Sequence, residues 1–364
     1  MNYDKKTVKH YAKLCSLSQG IDKKNADVVL TADLITAFAL YYENGAKPAY
    51  NAEKLYDILQ PKLKINNFTF ECASDLNKAE SVLRALLHYR KITGESVNDK
   101  FIKELTAKML PFALECIENK TPAFYSALSV SDCIFDFSLT FEIDGLNAFF
   151  ERVKTAVCDC NPLSDNAPCD LYLKCAIGLF KWESKFYKSV KISEEMLELI
   201  DFNALSINYA VGKSLLSPQV CSPLATALAL KLTTLLYRFS GSEKHKTMLR
   251  RIWFNGMQFC QRFSGAVGYD TFANHGELLS VLSYEENSLT PLYAEGLTLY
   301  LKHKELFEER EGEIVKDAFG RYMIGDKMFA RDESGFFGKD LIEIPSLTSF
   351  DKETNLQLKL RLNF

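Results

Sequence analysis

The chain has 364 residues, 47% of them hydrophobic and 25% charged, the balance of a globular protein able to bury a sizeable core. Its 44 basic and 47 acidic residues leave a net charge of −3, and no basic stripe appears, which argues against nucleic acid as a partner. No apolar run approaches the roughly 18 residues of a membrane span, and the opening stretch "MNYDKKTVKHYAKLC" lacks the apolar centre of a signal peptide.

Ten cysteines without a secretion signal read as reduced thiols and place the chain in a cytoplasm. Cys116, Cys133 and Cys175 fall in apolar helical patterns, where cysteine packs as a small hydrophobe.

Taken in chain order, the sequence repeats one design. "ALYYENGAKPAYNAEKLYDIL" is an apolar helix, a turn at Gly45 and an amphipathic helix. "LLHYRKITGESVNDKFIKELTAKML" repeats it around Gly94, and "SLTFEIDGLNAFFERVKTAV" around Gly145. "CAIGLFKWESKFYKSVKISEEMLELI" turns near residue 188 without a glycine. "LLYRFSGSEKHKTMLRRIWFNGM" turns at Gly241, and "EGLTLYLKHKELFEEREGEIV" near residue 304. Gly94 and Gly241 fit helix C-caps, where a left-handed residue is needed. Polar loops at 16–26, 66–75, 119–131, 159–170, 212–223 and 264–291 join the units.

Six hairpins with short turns at one end and long loops at the other predict an all-α fold, an (α/α)6 toroid. Inner helices would form a barrel, and the long loops would gather at one mouth. An open solenoid of helix pairs is the alternative, and the absence of polar capping repeats favours closure. The toroid would span residues 1–320. A β extension over 321–364 would pack on it or on a second subunit. "RYMIGDKMFARDESGFFGKD" reads there as strand, turn at Asp332–Gly335 and strand. "LQLKLRLNF" alternates strictly and reads as a half-buried strand that could pair two chains into a homodimer.

Acidic residues at the expected mouth are Asp270, Glu285, Glu286, Glu71 and Asp75. Glycoside hydrolysis needs two carboxyl groups across a sugar, one of them protonating the leaving oxygen. The same residues could be solvated loop charges or helix N-terminal charges favoured by the dipole. His275 is the one histidine of five among the mouth loops. It could serve as an acid or base, or be an ordinary loop histidine. Tyr269, Tyr284, Phe272, Phe124 and Tyr125 are the aromatics placed to stack on a sugar. Cys158, Cys160, Cys169 and Cys175 lie close in sequence, but their spacing does not match the paired C-x₂₋₄-C of a structural zinc site. No P-loop, dinucleotide fingerprint, HExxH or GxSxG motif occurs, and no metal or cofactor is expected.

From Arg251 through Trp253, Phe254, Asn255 and Gly256 to "QRFSGAVGYD", and on through "SYEENSLTPLYAEGL", the chain resembles six-hairpin glycosidases. The branch it is similar to is the β-L-arabinofuranosidase-like one. The resemblance implies a toroid whose mouth acts on a small sugar or oligosaccharide. That family's nucleophilic cysteine and its zinc-holding cysteines have no counterpart, since Asn287, Ser288, Leu289 and Thr290 stand where paired cysteines belong. The expectation is therefore a glycoside hydrolase with Asp270 and Glu285 as its carboxyl pair and Tyr269, His275, Tyr284 and Glu286 binding substrate. The alternative is a non-catalytic toroid that binds a carbohydrate or a protein.

Overall fold

A computed structural model describes residues 3–24, 26–45, 50–205, 209–217, 220–257, 260–261, 264–272, 278–281, 286–307, 314–316, 322–324, 327–331 and 341–344. Helices α1 (Tyr3–Gln19), α2 (Val28–Glu43), α3 (Tyr50–Leu59), α4 (Ala73–Thr93), α5 (Asp99–Glu118) and α6 (Phe124–Ser138) form the first half. The second half begins with α7 (Leu146–Asp159), α8 (Cys169–Phe186) and α9 (Lys191–Asn203). The short strand β1 (Val220–Cys221) then leads into α10 (Pro223–Ser240) and α11 (Glu243–Arg251). A π-helical turn, Ile252–Met257, ends α11.

The even helices form the inner ring. They pack in the order α2, α4, α6, α8, α10. The circle is completed by α12 (Glu286–Leu292) and α13 (Ala294–Lys302), which lie between α10 and α2. Sequences such as "VVLTADLITAFALYYE" and "PLATALALKLTTLLYRFS" are apolar on all sides, as a helix walled in by neighbours must be. The outer helices α3, α5, α7, α9 and α11 bury one face only. Asp27 and Ser222 cap α2 and α10 through side-chain oxygens on Leu30 N and Ala225 N. Gly94 and Gly241 end α4 and α10 in the left-handed conformation, at φ 74° and 66°, and return their N–H groups to Arg90 O and Tyr237 O.

The expected sixth hairpin forms differently. Among the described residues, α13 is followed by the short α14 (Lys304–Phe307) and by strand β4 (Ile314–Lys316). The outer position beside α12 and α13 is taken by α1, from the other end of the chain. His10 of α1 fixes that closure. Its Nε2 lies 2.7 Å from Thr290 O and its Nδ1 2.9 Å from Tyr41 Oη. A carbonyl only accepts, so Nε2 carries the proton and Nδ1 accepts from the tyrosine hydroxyl.

Strands β2 (Asp270–Phe272) and β3 (Leu278–Val281) join β1 in an antiparallel sheet at the mouth, with Cys221 opposite Asp270. Beyond the toroid, β4, β5 (Tyr322–Ile324), β6 (Lys327–Arg331) and β7 (Leu341–Ile344) form a four-stranded antiparallel sheet in chain order. The turn expected at Asp332–Gly335 and the segment "LQLKLRLNF" lie outside the described residues.

Candidate functional site at the charged axis

Helices α2, α4, α6, α8, α10 and α13 each send a charge to the axis of the ring. Asp33 comes from α2, Glu80 and Arg84 from α4, and Asp132 and Asp136 from α6. Lys174 and Lys181 come from α8, Lys231 from α10 and Glu295 from α13. Lys174 Nζ lies 2.9 Å from Glu80 Oε2, and Lys231 Nζ 3.1 Å from Glu295 Oε2. Lys181 Nζ is 2.5 Å from Asp132 and 2.7 Å from Asp136. Arg84 meets Asp132 at 3.5 Å, Glu80 at 3.6 Å, and pairs closely with Glu295. Burial alone would raise the Asp132 carboxyl, but Lys181, Lys231 and Arg84 together hold it far below the usual carboxylate range.

The mouth-side end of this network is chemically different. Asp33 sits in the second turn of α2 and is 6% exposed. Burial pushes its carboxyl up to about 7, against a hydrogen bond from Ser81 and the charges of Lys174 and Arg84. It lines a cavity of about 20 Å³ together with Thr36, Glu80, Arg84, Lys174 and Glu295. Glu80 Oε1 is buried there and accepts no hydrogen bond. A carboxyl that titrates near neutrality beside a second one with a spare acceptor atom can take up and release a proton at physiological pH. A wider groove of about 790 Å³ lies away from the axis, between α5 and α7, and gathers no comparable cluster.

The residues expected from sequence fare unevenly. Tyr269 is 8% exposed, and Lys213 Nζ stands 4.3 Å from its ring centroid, so one face of the ring is already covered. Asp270 begins β2 and Glu286 begins α12, which places both backbones at the mouth. Glu285, His275 and Tyr284 lie outside the described residues. Glu71 is exposed. Asp75 is a helix cap, accepting from Glu71 N at 2.9 Å and Cys72 N at 3.0 Å. Phe124 and Tyr125 belong to the first turn of α6 rather than to a loop, and the Tyr125 hydroxyl donates to Asp165 at 2.8 Å. Of Cys158, Cys160, Cys169 and Cys175, the first is exposed, the second half-buried and the last two buried, and all ten cysteines are free. Among the described residues no group of three or more His, Cys, Asp or Glu side chains is arranged to hold a metal ion. No described helix is long and apolar enough to cross a membrane.

Sequence reasoning passed over the axis. The signal was present: single charges set in long apolar runs, Asp33 in "LTADLITAFAL", Lys231 in "ALALKLTTLL" and Lys181 in "AIGLFKW". A charge with apolar neighbours on every side of a helix cannot face water, so it must meet a partner inside.

No family model matches the sequence, and no curated protein matches it. Solved structures do share the helical toroid. A cellobiose 2-epimerase from Spirochaeta thermophila superposes with a TM-score of 0.51 at 11% identity, over 76% of this chain and 86% of the other. A sugar epimerase from a ruminal bacterium gives a TM-score of 0.51 at 13% identity, over 77% and 89%. A GH127 β-L-arabinofuranosidase from Geobacillus stearothermophilus gives 0.45 at 11% identity, over 89% and 64%. At such identities the first two likenesses establish the fold alone.

Proposed function

We propose that the chain is a carbohydrate-acting enzyme. Its substrate approaches the mouth formed by the N-terminal ends of the inner helices, and carboxyl groups move the proton. The observation that carries this reading is Asp33, buried at the mouth end of the axis with its carboxyl raised to about 7. In its neutral form Asp33 can protonate a departing glycosidic oxygen, and Glu80, whose Oε1 accepts no hydrogen bond and lies 3.6 Å from Arg84, is the second carboxyl that such chemistry needs. Two proteins of the same fold act, by their names, on sugars, which supports the substrate class. Within that class we assign hydrolysis of a small glycoside and a remote kinship to the β-L-arabinofuranosidase-like branch. Asp270 and Glu285 are proposed as further mouth carboxylates, with Tyr269, His275, Tyr284 and Glu286 contacting the sugar. Ten free thiols suit a reducing compartment such as the cytoplasm.

The test is turnover on a saccharide panel, assayed for bond cleavage and for epimer formation. Asp33→Asn is expected to lower turnover about 10²- to 10⁴-fold while sugar binding persists. Full activity in that variant overturns the assignment.

One observation favours a second reading, a toroid that binds sugar without turning it over. The axial cavity of about 20 Å³ is far smaller than the roughly 300 Å³ at which ligand pockets begin, and matched charges fill the lumen around it. Under that reading, sugars bind at the mouth and no product forms with any variant.

A further inference from the structure

Asp170 begins a line of charges along α8. It stands four residues before Lys174 and eleven before Lys181, a spacing that keeps all three on one face of the helix. Contacts fix where that face points: Lys174 meets Glu80 across the lumen at 2.9 Å, and Lys181 meets Asp136 at 2.7 Å. Asp170 therefore faces the axis as well, about one helical turn nearer the mouth than Lys174. Its electrostatics agree. Burial raises the Asp170 carboxyl, Lys174 lowers it, and Glu80 of α4 raises it again.

Asp170 differs from the charges beneath it. Glu80 is committed to Lys174, and Asp132 and Asp136 to Lys181. Asp170 is half-buried, and among the described residues it forms no ion pair. Its carboxyl accepts from backbone N–H groups in the first turn of α8, Leu171 and its own, which leaves lone pairs to spare on a group that has about four. The backbone under it is fixed, since Cys169 N donates to Lys213 O at 3.0 Å and Leu215 N to Ala167 O at 3.1 Å. In the ring order, α8 stands opposite α2, which carries Asp33. The two carboxyls face each other from opposite walls of the lumen.

We propose that Asp170 is a sugar-binding residue, accepting hydrogen bonds from hydroxyl groups of a saccharide that lies across the mouth between α8 and Asp33 of α2. The inference rests on the carbohydrate reading of this site. Sugar hydroxyls donate, and a partly desolvated carboxyl with acceptor capacity to spare is a strong partner for them. Its place on the first turn of a packed helix holds that partner in one position, as a binding residue requires. A sugar so held is gripped from the wall opposite the carboxyl that would act on it.

Calorimetric titration of the full chain with glucose, mannose, L-arabinose and cellobiose tests this, with circular dichroism confirming that each variant is folded. Asp170→Ser keeps a helix-capping side chain but removes the carboxyl, and is expected to weaken binding of the sugar that the wild type takes by about tenfold or more. Asp165→Asn, at a carboxyl that meets Tyr125 instead, should leave binding unchanged. Deoxy analogues of the bound sugar then separate contact from structure. The analogue lacking the hydroxyl that Asp170 holds should bind the wild type weakly and lose nothing further in Asp170→Ser, while the other analogues still lose about tenfold. A sugar that binds Asp170→Ser as tightly as the wild type overturns the proposal, and so do analogues that all lose equally. If none of the four sugars binds the wild type, the carbohydrate reading falls and this proposal with it.

Discussion

Lys174 of α8 reaches Glu80 of α4 at 2.9 Å, although α6 stands between their two helices in the ring. The pair can therefore form only across the lumen. Lys231 of α10 and Asp132 of α6, 3.6 Å apart with α8 between them, do the same. These contacts tie helices that are not neighbours in the ring, and they hold the barrel closed along its axis.

Removing Lys174 strips the buried Glu80 of its nearest counter-charge and leaves it only Arg84 at 3.6 Å. Lys174→Met is expected to cost about 3–5 kcal/mol in urea unfolding, with Glu80→Met and Lys174→Met together recovering most of the loss. Equal losses in the single and double variants would show that the two side chains do not depend on each other.

Asp33 and His10 should give stability opposite slopes over one pH range. The Asp33 carboxyl is raised by burial from an unfolded value near 3.9 to about 7, so its contribution is complete below about pH 4 and is lost as pH rises to 7. His10 is lowered by burial to about 4, so its contribution is present above about pH 6.5 and is lost as pH falls towards 4. Unfolding midpoints across this range check both. Asp33→Asn should gain on the wild type by roughly 4 kcal/mol from pH 4 to 7. His10→Gln should lose ground over the same span. Parallel curves for either variant contradict the assigned protonation.

Gly178 is where α8 presses on α6. A Cβ at that position would stand 2.4 Å from Ser131 Oγ and 2.6 Å from Asp132 N. Gly178→Ala must push the helices apart beside the Lys181–Asp132 contact, and is expected to cost about 1–3 kcal/mol in the same unfolding assay. A neutral result would mean that the two helices slide freely.

Much of the toroid is legible in the sequence because its cause is local. A helix apolar on all sides, a left-handed glycine such as Gly94 or Gly241, and an amphipathic partner are written within one stretch of chain. The closure by α1 is not legible in that way. His10 meets Thr290 across 280 positions, and neither residue carries a local mark of the other. The axial site is intermediate. Asp33, Lys181 and Lys231 stand out as lone charges in apolar runs, but which carboxyl meets which ammonium depends on the order of helices around the ring. Asp270 and Glu285 are expected at the mouth because one follows a glycine-rich loop and the other precedes an inner helix. Their chemistry depends on side-chain positions that a sequence pattern does not specify.

If the proposed function holds, a sugar binds at the mouth above Asp33. Thermal unfolding of the wild type and Asp33→Asn against a panel of monosaccharides and short oligosaccharides tests it most directly. A bound ligand at 100 times its Kd adds about 2.7 kcal/mol, which reads as a raised melting temperature. At least one sugar is expected to raise the melting temperature of both proteins, with product formed by the wild type alone. A panel that leaves both melting temperatures unmoved would contradict it.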